Sequence, residues 1–190
     1  LIYGILEYLR RRFVGAQAHF ARAAELEPNW DWARVLKADA IYYLRRTEEA
    51  LVEFDAAIAL NPGNAWAYAL RGRAKNLTRD ASMKEDLDRA IALEPDAGWI
   101  YAWRGIAKAA VTNDPSALKD YDRAKALDQD YDRIFAWRGS QLIKLHRYEE
   151  ALPDLLHSLR LNHHIDISHY SLGRVDFRLG RAQDGVREMR

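Results

Sequence analysis

The chain has 190 residues, 49% of them apolar and 30% charged, so it can bury a core and does not belong to the disordered class. Its 29 Lys and Arg nearly balance its 28 Asp and Glu, and the net charge of +1 gives no whole-chain reason to expect nucleic acid or an anionic membrane as partner. The lack of cysteine excludes disulfides and cysteine-based zinc sites, and no apolar run reaches the roughly 18 residues of a membrane span.

The first nine residues, Leu-Ile-Tyr-Gly-Ile-Leu-Glu-Tyr-Leu, are mainly apolar but have no initiator Met and no basic leader. They do not form a secretory signal peptide. We therefore expect the chain to be a piece of a longer one, with any targeting signal outside it. Since the sequence itself holds no targeting signal, the cytoplasm is the favoured compartment.

An Arg-Gly pair recurs at nearly constant spacing, each time a few residues after an aromatic side chain. The pair stands at 71–72, 104–105 and 138–139, at intervals of 33 and 34 residues. A period of this length is typical of arrays of small units that stack on one another.

A second set of positions recurs later in each unit. A small residue is followed four positions later by a large apolar one, and Met83 and Leu87 take these two places in the third unit. The other pairs are Ala16/Phe20, Ala50/Phe54, Ala117/Tyr121 and Ala151/Leu155. Such spacing puts the residues on one helical stripe, and Pro28, Pro62 and Pro95 stop three of these helices. Each unit is thus predicted to be a helix, a turn and a second helix.

Three local signals predict helix boundaries. Asp114 followed by Pro115 predicts a helix start, with Asp114 as N-cap and Pro115 at the first helical position. Thr47, ahead of two glutamates, predicts another N-cap. Pro153 lies beyond the first turn of a second helix, so we expect it to bend that helix or delay its start.

The combined pattern resembles the tetratricopeptide repeat (TPR): an aromatic residue before Leu/Arg-Gly, then Ala-x3-Phe, then Pro, at a period of about 34. The resemblance covers nearly all of the chain. It implies an all-α fold, an α-solenoid in which stacked helix-turn-helix repeats form one right-handed superhelix. The repeats fall at about 1–28 (partial), 31–62, 64–95, 98–129, 132–163 and 166–190 (partial).

Glycine recurs inside the first helix of the units, although a mid-helix glycine costs about 1 kcal/mol relative to alanine. These glycines are Gly4, Gly72, Gly105, Gly139 and Gly173. Because glycine has no Cβ, we expect the first helix to lie tightly against the second at these positions.

The resemblance also implies a concave groove lined by the first helix of each unit, and this groove is the predicted ligand-binding site. Its predicted residues are Trp32, Asp39, Tyr42, Trp66, Ala69, Arg73, Asn76, Trp99, Ala102, Arg133, Ser140, Lys144, Tyr170, Arg174 and Phe177. Trp32, Trp66 and Trp99 form a ladder that either binds a partner, as tryptophan does at hot spots, or packs between neighbouring helices. Ala69 and Ala102 are expected to leave the middle of the groove open.

Two sets of basic residues have alternative interpretations. Arg71, Arg104 and Arg138 either line up to bind an anion, or each pairs with an acid on the adjacent unit or lies with its stem over apolar surface. The second set either makes the C-terminal half of the groove somewhat basic, which suits an acidic peptide or a terminal carboxylate, or is merely a solvated face. It consists of Arg133, Lys144, Arg174 and Arg178.

Nothing in the sequence predicts a cofactor, a metal or a catalytic residue. His163, His164 and His169 are close together, but two of them fall in a predicted turn and no supporting carboxylate is evident. No phosphate-binding loop, His-Glu-x-x-His motif or nucleophile elbow occurs.

The leading functional hypothesis is therefore a non-catalytic scaffold that binds a peptide or helix of a partner protein in the groove. An alternative is a targeting or regulatory arm of a larger enzyme, such as a transferase or a kinase, on the same chain. A third is an RNA-binding helical repeat, against which the near-neutral charge argues. We also expect weak end-to-end self-association, because the first and last helices expose stacking faces.

Overall fold

The computed structural model describes residues 1–112 and 114–180, without the side chains of 111 and 112. Eleven α-helices make up the secondary structure of these residues, and none of them is long and apolar enough to cross a membrane. The helices are α1 (Ile2–Leu9), α2 (Phe13–Leu26), α3 (Asp31–Tyr43), α4 (Thr47–Leu60), α5 (Ala65–Thr78), α6 (Met83–Leu93), α7 (Gly98–Thr112), α8 (Ala117–Leu127), α9 (Asp132–Lys144), α10 (Tyr148–Leu161) and α11 (Asp166–Arg178). The prediction of an all-α fold made of helix-turn-helix repeats is confirmed.

The chain divides into two compact units, Leu1–Pro95 and Asp96–Arg190. In the first unit each helix packs against the next one, and α3 also touches α5. In the second unit consecutive helices again pack together, and α9 touches both α7 and α11. The first helices of neighbouring repeats thus lie side by side within each unit and form what we call the first-helix face.

Each unit buries a core between its helices. In the first unit Phe20 of α2 is completely buried and packs with Ala40 of α3. In the second unit Tyr121, Leu142 and Leu155, from three different helices, belong to one buried cluster. No helix pair could bury its apolar stripe alone, so stacking of neighbours supplies the stability.

Gly4, Gly72, Gly105 and Gly139 lie tightly against the second helix of their repeat, as predicted. A Cβ on Gly105 would lie 2.9 Å from the Tyr121 ring, and one on Gly139 would lie 2.7 Å from Leu155. At Gly4 the nearest ring atom, from Phe20, would be 2.7 Å away. Real Cβ atoms do not approach neighbours this closely, so the packing requires glycine at these positions.

The turns between first and second helices reuse one backbone geometry that the sequence pattern did not predict. In four of them a residue with φ between 57° and 65° follows the first helix, and the next N–H bonds to a carbonyl five residues earlier. These left-handed residues are Arg11, Arg45, Arg79 and His146. The arrangement is a Schellman-type cap, in which glycine is the usual left-handed residue.

Two predicted N-caps are wrong. Thr47 is the first residue of α4, and the cap position belongs to Arg46, which makes no side-chain capping bond. Helix α8 begins only at Ala117, because Asp114 accepts bonds from the N–H and the hydroxyl of Ser116 at 2.8 and 2.6 Å. The Asp-Pro signal therefore closes a turn ahead of the helix rather than capping it.

Pro153 does not delay the start of its helix, which was one of the two predicted effects; a bend at this proline stays a prediction. Helix α10 runs without a break over Tyr148–Leu161, and Pro153 is exposed within it. A proline there removes one backbone bond, and its ring faces solvent rather than a packed neighbour. The packing of α10 on α9 and α11 is enough to hold the helix together.

Candidate functional site

In the first unit, two tryptophans lie exposed on the first-helix face. Trp32 of α3 and Trp66 of α5 are 37% and 38% exposed, and their ring centroids are 6.1 Å apart with planes tilted by 53°. The two side chains therefore pack on each other and still leave more than a third of their surface exposed. The packing of Trp32 on Trp66 is thus observed, whereas binding of a partner by these rings stays a prediction.

Further along the same helices, an ion pair fills the face. Asp39 is buried and accepts a hydrogen bond from the Arg73 guanidinium and another from the Tyr8 hydroxyl. The guanidinium also lies 4.4 Å from the centroid of the Tyr42 ring and 5.5 Å from that of Tyr43. Asp39 and Arg73, predicted as groove residues, are thus engaged with each other and link α3 to α5.

The charges in this cluster perturb its titratable groups. Burial and the neighbouring charge of Asp39 both raise the pKa of Tyr8, so its hydroxyl stays protonated and donates. Burial alone would lower the pKa of Arg73, but the charge of Asp39 outweighs it and the pKa is raised. In this cluster the guanidinium neutralises the charge of the carboxylate, and the neutral phenol donates a hydrogen bond to it. The arrangement stabilises the fold.

The expected open middle of the groove is not present at the small residues named for it. Ala69 and Ala102 are completely buried, because neighbouring helices cover them. Asn76 is half-buried, and so is Trp99, whose ring meets that of Trp103 edge to face at 4.7 Å. None of these residues offers a free surface comparable to that of Trp32 and Trp66.

The second unit has a pocket on its first-helix face. It has a volume of about 230 Å³ and lies among α7, α8, α9 and the start of α11. The lining residues are Ile106, Ala109, Ala110, Tyr121, Trp137, Ser140, Gln141, Lys144 and Ile167. Two of them, Ser140 and Lys144, belong to the predicted site.

The pocket exists because small side chains replace large ones in the repeat. When the repeats are aligned at the position of the mid-helix glycine, Ala109 and Ala110 of α7 correspond to Tyr42 and Tyr43 of α3. Ser140 likewise stands where Arg73 stands in α5. This comparison between repeats is the signal by which the sequence could have located the pocket.

Helices α9 and α11, which contribute to the pocket lining, also carry exposed cations and aromatic rings. Tyr170 and Phe177 on α11 are each 59% exposed, and Lys144, at the end of α9, is also exposed. Arg133, Arg174 and Arg178 are exposed as well. In the part of the chain that the structure describes, Lys144 and these three arginines form no ion pair with a carboxylate, whereas Arg174 lies 5.9 Å from the Tyr170 ring centroid.

The three arginines of the Arg-Gly pairs bind protein carboxylates: each binds an acid of its own repeat, and Arg71 and Arg138 also reach an acid of the preceding repeat as predicted. Arg71 binds Asp86 through two nitrogens, at 2.9 and 2.5 Å, and also binds Asp55 of the preceding repeat. Arg104 binds Asp120 in the same way. The remaining pairs join Arg138 to Asp154 and Asp122. These guanidinium groups are occupied by protein carboxylates and do not form an anion site.

The three histidines near the last turn do not assemble a metal site. The His163 ring lies 6.1 Å from that of His164 and 5.3 Å from that of His169. The His169 Nε2 instead meets the His163 carbonyl oxygen at 2.8 Å. Over residues 1–112 and 114–180, no group of three or more His, Cys, Asp or Glu side chains is placed to hold a metal ion.

Comparison with known proteins identifies the fold. No known family model matches the chain, and no curated protein matches it either. Among solved structures, Cut9 in the APC/C hetero-tetramer Cut9-Hcn1 superposes on 98% of this chain with a TM-score of 0.88 and 18% identity. The chain spans only 38% of the length of that structure.

Two further structures are TPR proteins of about the same length. TTC0263, a thermophilic TPR protein of Thermus thermophilus, matches 96% of this chain and 95% of its own with a TM-score of 0.78 and 19% identity. YrrB, described as a TPR protein with an unusual peptide-binding site, matches 89% and 88% with a TM-score of 0.64 and 18% identity. The chain therefore has the tetratricopeptide-repeat fold, an α-solenoid of helix-turn-helix repeats.

Proposed function

We propose that the chain is a non-catalytic protein-interaction module that binds a peptide or helix of a partner on the first-helix face of its second unit. The observation that carries this proposal is the pocket among α7, α8, α9 and α11, which Lys144 lines. Helix α11, which contributes Ile167 to the lining, also carries the exposed rings of Tyr170 and Phe177. Exposed aromatic side chains beside a pocket are the usual anchors of protein interfaces.

The contrast between the units supports this location. In the first unit, the ion pair of Asp39 and Arg73 and the rings of Tyr42 and Tyr43 occupy the corresponding part of the face. A partner would have to break a buried ion pair to bind there, which costs several kcal/mol. In the second unit the same positions offer a cavity instead, so binding requires no rearrangement.

The chemistry of the lining supports a binding role rather than catalysis. Lys144 and Tyr121 are the titratable side chains of the pocket lining. Burial, and next the charge of Asp120, raises the pKa of Tyr121, so its hydroxyl remains neutral. An exposed ammonium and a neutral phenol provide neither a nucleophile with a base nor an acid–base pair near neutral pH.

The fold also supports a protein partner. YrrB, which shares this fold, is described as having a peptide-binding site. That description belongs to YrrB, and it supports the proposal because it concerns the same kind of helical array. The near-zero net charge of the chain also favours a protein partner over a nucleic acid.

The proposal is tested by affinity capture from a cell lysate with the full chain as bait. The site variant combines Lys144→Glu, Tyr170→Ala and Phe177→Ala. The control combines Lys119→Glu with Leu26→Ala and Val52→Ala, three exposed residues on second helices, so that charge reversal and apolar loss are matched.

We expect proteins captured by the wild-type chain to remain with the control and to be lost from the site variant. Nuclease treatment should leave the captured set unchanged, because the partner is a protein. Equal capture by all three baits would place the interaction elsewhere and refute the proposed site. Loss of capture after nuclease treatment would instead support RNA as the partner.

A further inference from the structure

We infer that the pocket of the second unit accepts one large apolar side chain of a partner segment, and that Lys144 selects a carboxylate next to that side chain. The inference depends on the proposed function, and it specifies which kind of segment the site recognises. The ligand is thus an acidic segment with a single bulky apolar anchor.

The size of the pocket limits what it can hold. Its volume of about 230 Å³ lies below the roughly 300–1,000 Å³ of sites for small molecules and cofactors. It is many times the roughly 30 Å³ that one water molecule occupies in the liquid. A cavity of this size, open on the helix face, suits one side chain of the size of Leu, Met or Phe.

The residues that line the pocket favour an apolar side chain as its occupant. Ile106, Trp137 and Ile167 provide apolar walls from three neighbouring first helices, and Ala109 adds a methyl group. The hydroxyl of Ser140 is already engaged, because its oxygen lies 3.1 Å from the Ser171 hydroxyl oxygen. A polar side chain would lose its hydration among these apolar walls, whereas an apolar one gains by burial.

Charge complementarity then selects the flanking residue. Lys144 lines the pocket and is exposed, and it forms no ion pair within the described residues. One repeat further on, Arg178 occupies the same position, and Arg174 lies on the same helix one turn before it. These cations favour a carboxylate one or two residues from the apolar anchor, and they discriminate against a lysine or arginine there.

The pocket forms in the second unit because its first-helix face has smaller side chains at these positions than the first unit has. In α7 the positions that border the cavity hold Ala109 and Ala110, whereas α3 has Tyr42 and Tyr43 in their place. The inference therefore predicts that this pocket takes one anchor residue for each copy of the chain. It also identifies Ala110, which is exposed, as the position where a larger side chain closes the pocket without disturbing the core.

The test begins with selection from a displayed library of random 12-residue peptides on the full-length chain. We expect the enriched peptides to share one large apolar residue with Asp or Glu within about two positions. A synthetic peptide carrying the enriched motif is then titrated by fluorescence anisotropy against the wild-type chain and four variants. The variants are Ala110→Phe and Lys144→Glu at the pocket, with Ala126→Phe and Lys119→Glu on α8 as matched controls.

Ala110→Phe should weaken binding by about tenfold or more, because the added ring occupies the space of the anchor. Lys144→Glu should weaken binding of the acidic peptide by about fivefold and strengthen binding of the same peptide with its acid changed to Lys. Both controls should bind within about twofold of wild type. Circular dichroism checks that all variants retain the same helix content.

The outcomes separate this inference from the function on which it depends. Suppose that a peptide binds the wild-type chain, loses binding in the Lys144/Tyr170/Phe177 variant and keeps its affinity for Ala110→Phe. That result would refute the pocket as the site of the apolar anchor and leave the proposed function standing. Enriched peptides without a shared acidic residue would refute the role of Lys144. If no peptide is enriched and affinity capture also fails to distinguish the baits, both the inference and the proposed function are wrong.

Discussion

The mid-helix glycines show how a single methyl group determines the distance between two helices. At Gly105 the Tyr121 ring occupies the space that a Cβ would need, and at Gly139 Leu155 does the same. Tyr121 and Leu155 are both buried and belong to one core cluster, so neither can move aside freely. Tight packing thus compensates for the low helix propensity of glycine.

Gly105→Ala should therefore destabilise the protein, although alanine is the better helix former by about 1 kcal/mol. The added Cβ would lie 2.9 Å from the Tyr121 ring, and we expect a loss of about 1–3 kcal/mol from overpacking. The control is Gly15→Ala in α2, where the new Cβ would meet only the flexible end of Glu7. Thermal unfolding followed by circular dichroism should show a lower Tm for the first variant and an unchanged or higher Tm for the second. A higher Tm for Gly105→Ala would contradict the close approach.

The same scale explains why Arg73 is held within the protein by an ion pair. Its side chain is only 20% exposed, and it pairs with Asp39, which lies 34 residues earlier on the neighbouring first helix. Replacing Arg73 would leave a buried carboxylate without its main charge partner, and the variant would report stability rather than ligand binding. Tests of the site therefore use Lys144, which is exposed.

At the scale of helices, a repeated charge arrangement joins the first and second helix of the four complete repeats. A buried or half-buried acid on the second helix meets two cations, most of them from the first helix. The sets are Glu53 with Arg34 and Lys37, Asp86 with Arg71 and Lys75, Asp120 with Arg104 and Lys108, and Asp154 with Arg138 and Lys125. Each acid thus shares its charge between two donors, which reduces the cost of burying it.

We expect Asp120→Asn to lower the free energy of unfolding by about 2–3 kcal/mol, because two half-buried cations lose the negative charge that they share. The carboxylate is 5% exposed and lies 2.6 Å from Arg104 and 2.8 Å from Lys108. The matched control is Asp122→Asn, two residues away, where the carboxylate is 56% exposed and binds Arg138 at 2.7 Å. That exposed pair should contribute less than about 1 kcal/mol. Urea denaturation measures both, and equal midpoints for the two variants would contradict a structural role for the buried acid.

At the scale of the whole molecule, α1 leaves an apolar surface uncovered. Ile2 and Tyr3 are each 73% exposed and Leu9 is 72% exposed. In a stacked array such a surface is normally covered by the next repeat or by a polar cap. The other predicted stacking face, which ends at Met189 and Arg190, lies outside the described residues.

We predict that this surface causes weak self-association of the isolated chain. Light scattering should show an average mass that rises over about a tenfold range of protein concentration, since burial of large apolar side chains favours a second copy. Ile2→Lys together with Leu9→Lys should reduce the rise, whereas Val52→Lys, at a residue 65% exposed on α4, should not. A constant monomer mass at all concentrations would show that α1 does not mediate association.

The architecture follows from the sequence alone, because the pattern that specifies it is local and repeated. Most units have residues equivalent to Gly105, Ala117 and Tyr121. At each recurrence these residues form the same kind of contact between two helices that are neighbours in the chain. Features that depend on one or two residues were less predictable. The start of α8 moved to Ala117 because the Asp114 side chain bonds to Ser116 instead of capping a helix.

Which residues of the first-helix face are free became clear only from the folded chain. Asp39 and Arg73 carry charges that sequence reasoning assigned to a groove, but stacking brings them together across 34 residues. Ala109 and Ala110 are ordinary alanines in the sequence, yet the walls supplied by three neighbouring helices turn their small size into a pocket. The physical reason is that a cavity or an ion pair between repeats depends on the side chains of several helices together, whereas a helix and its partner follow from the periodicity of one repeat.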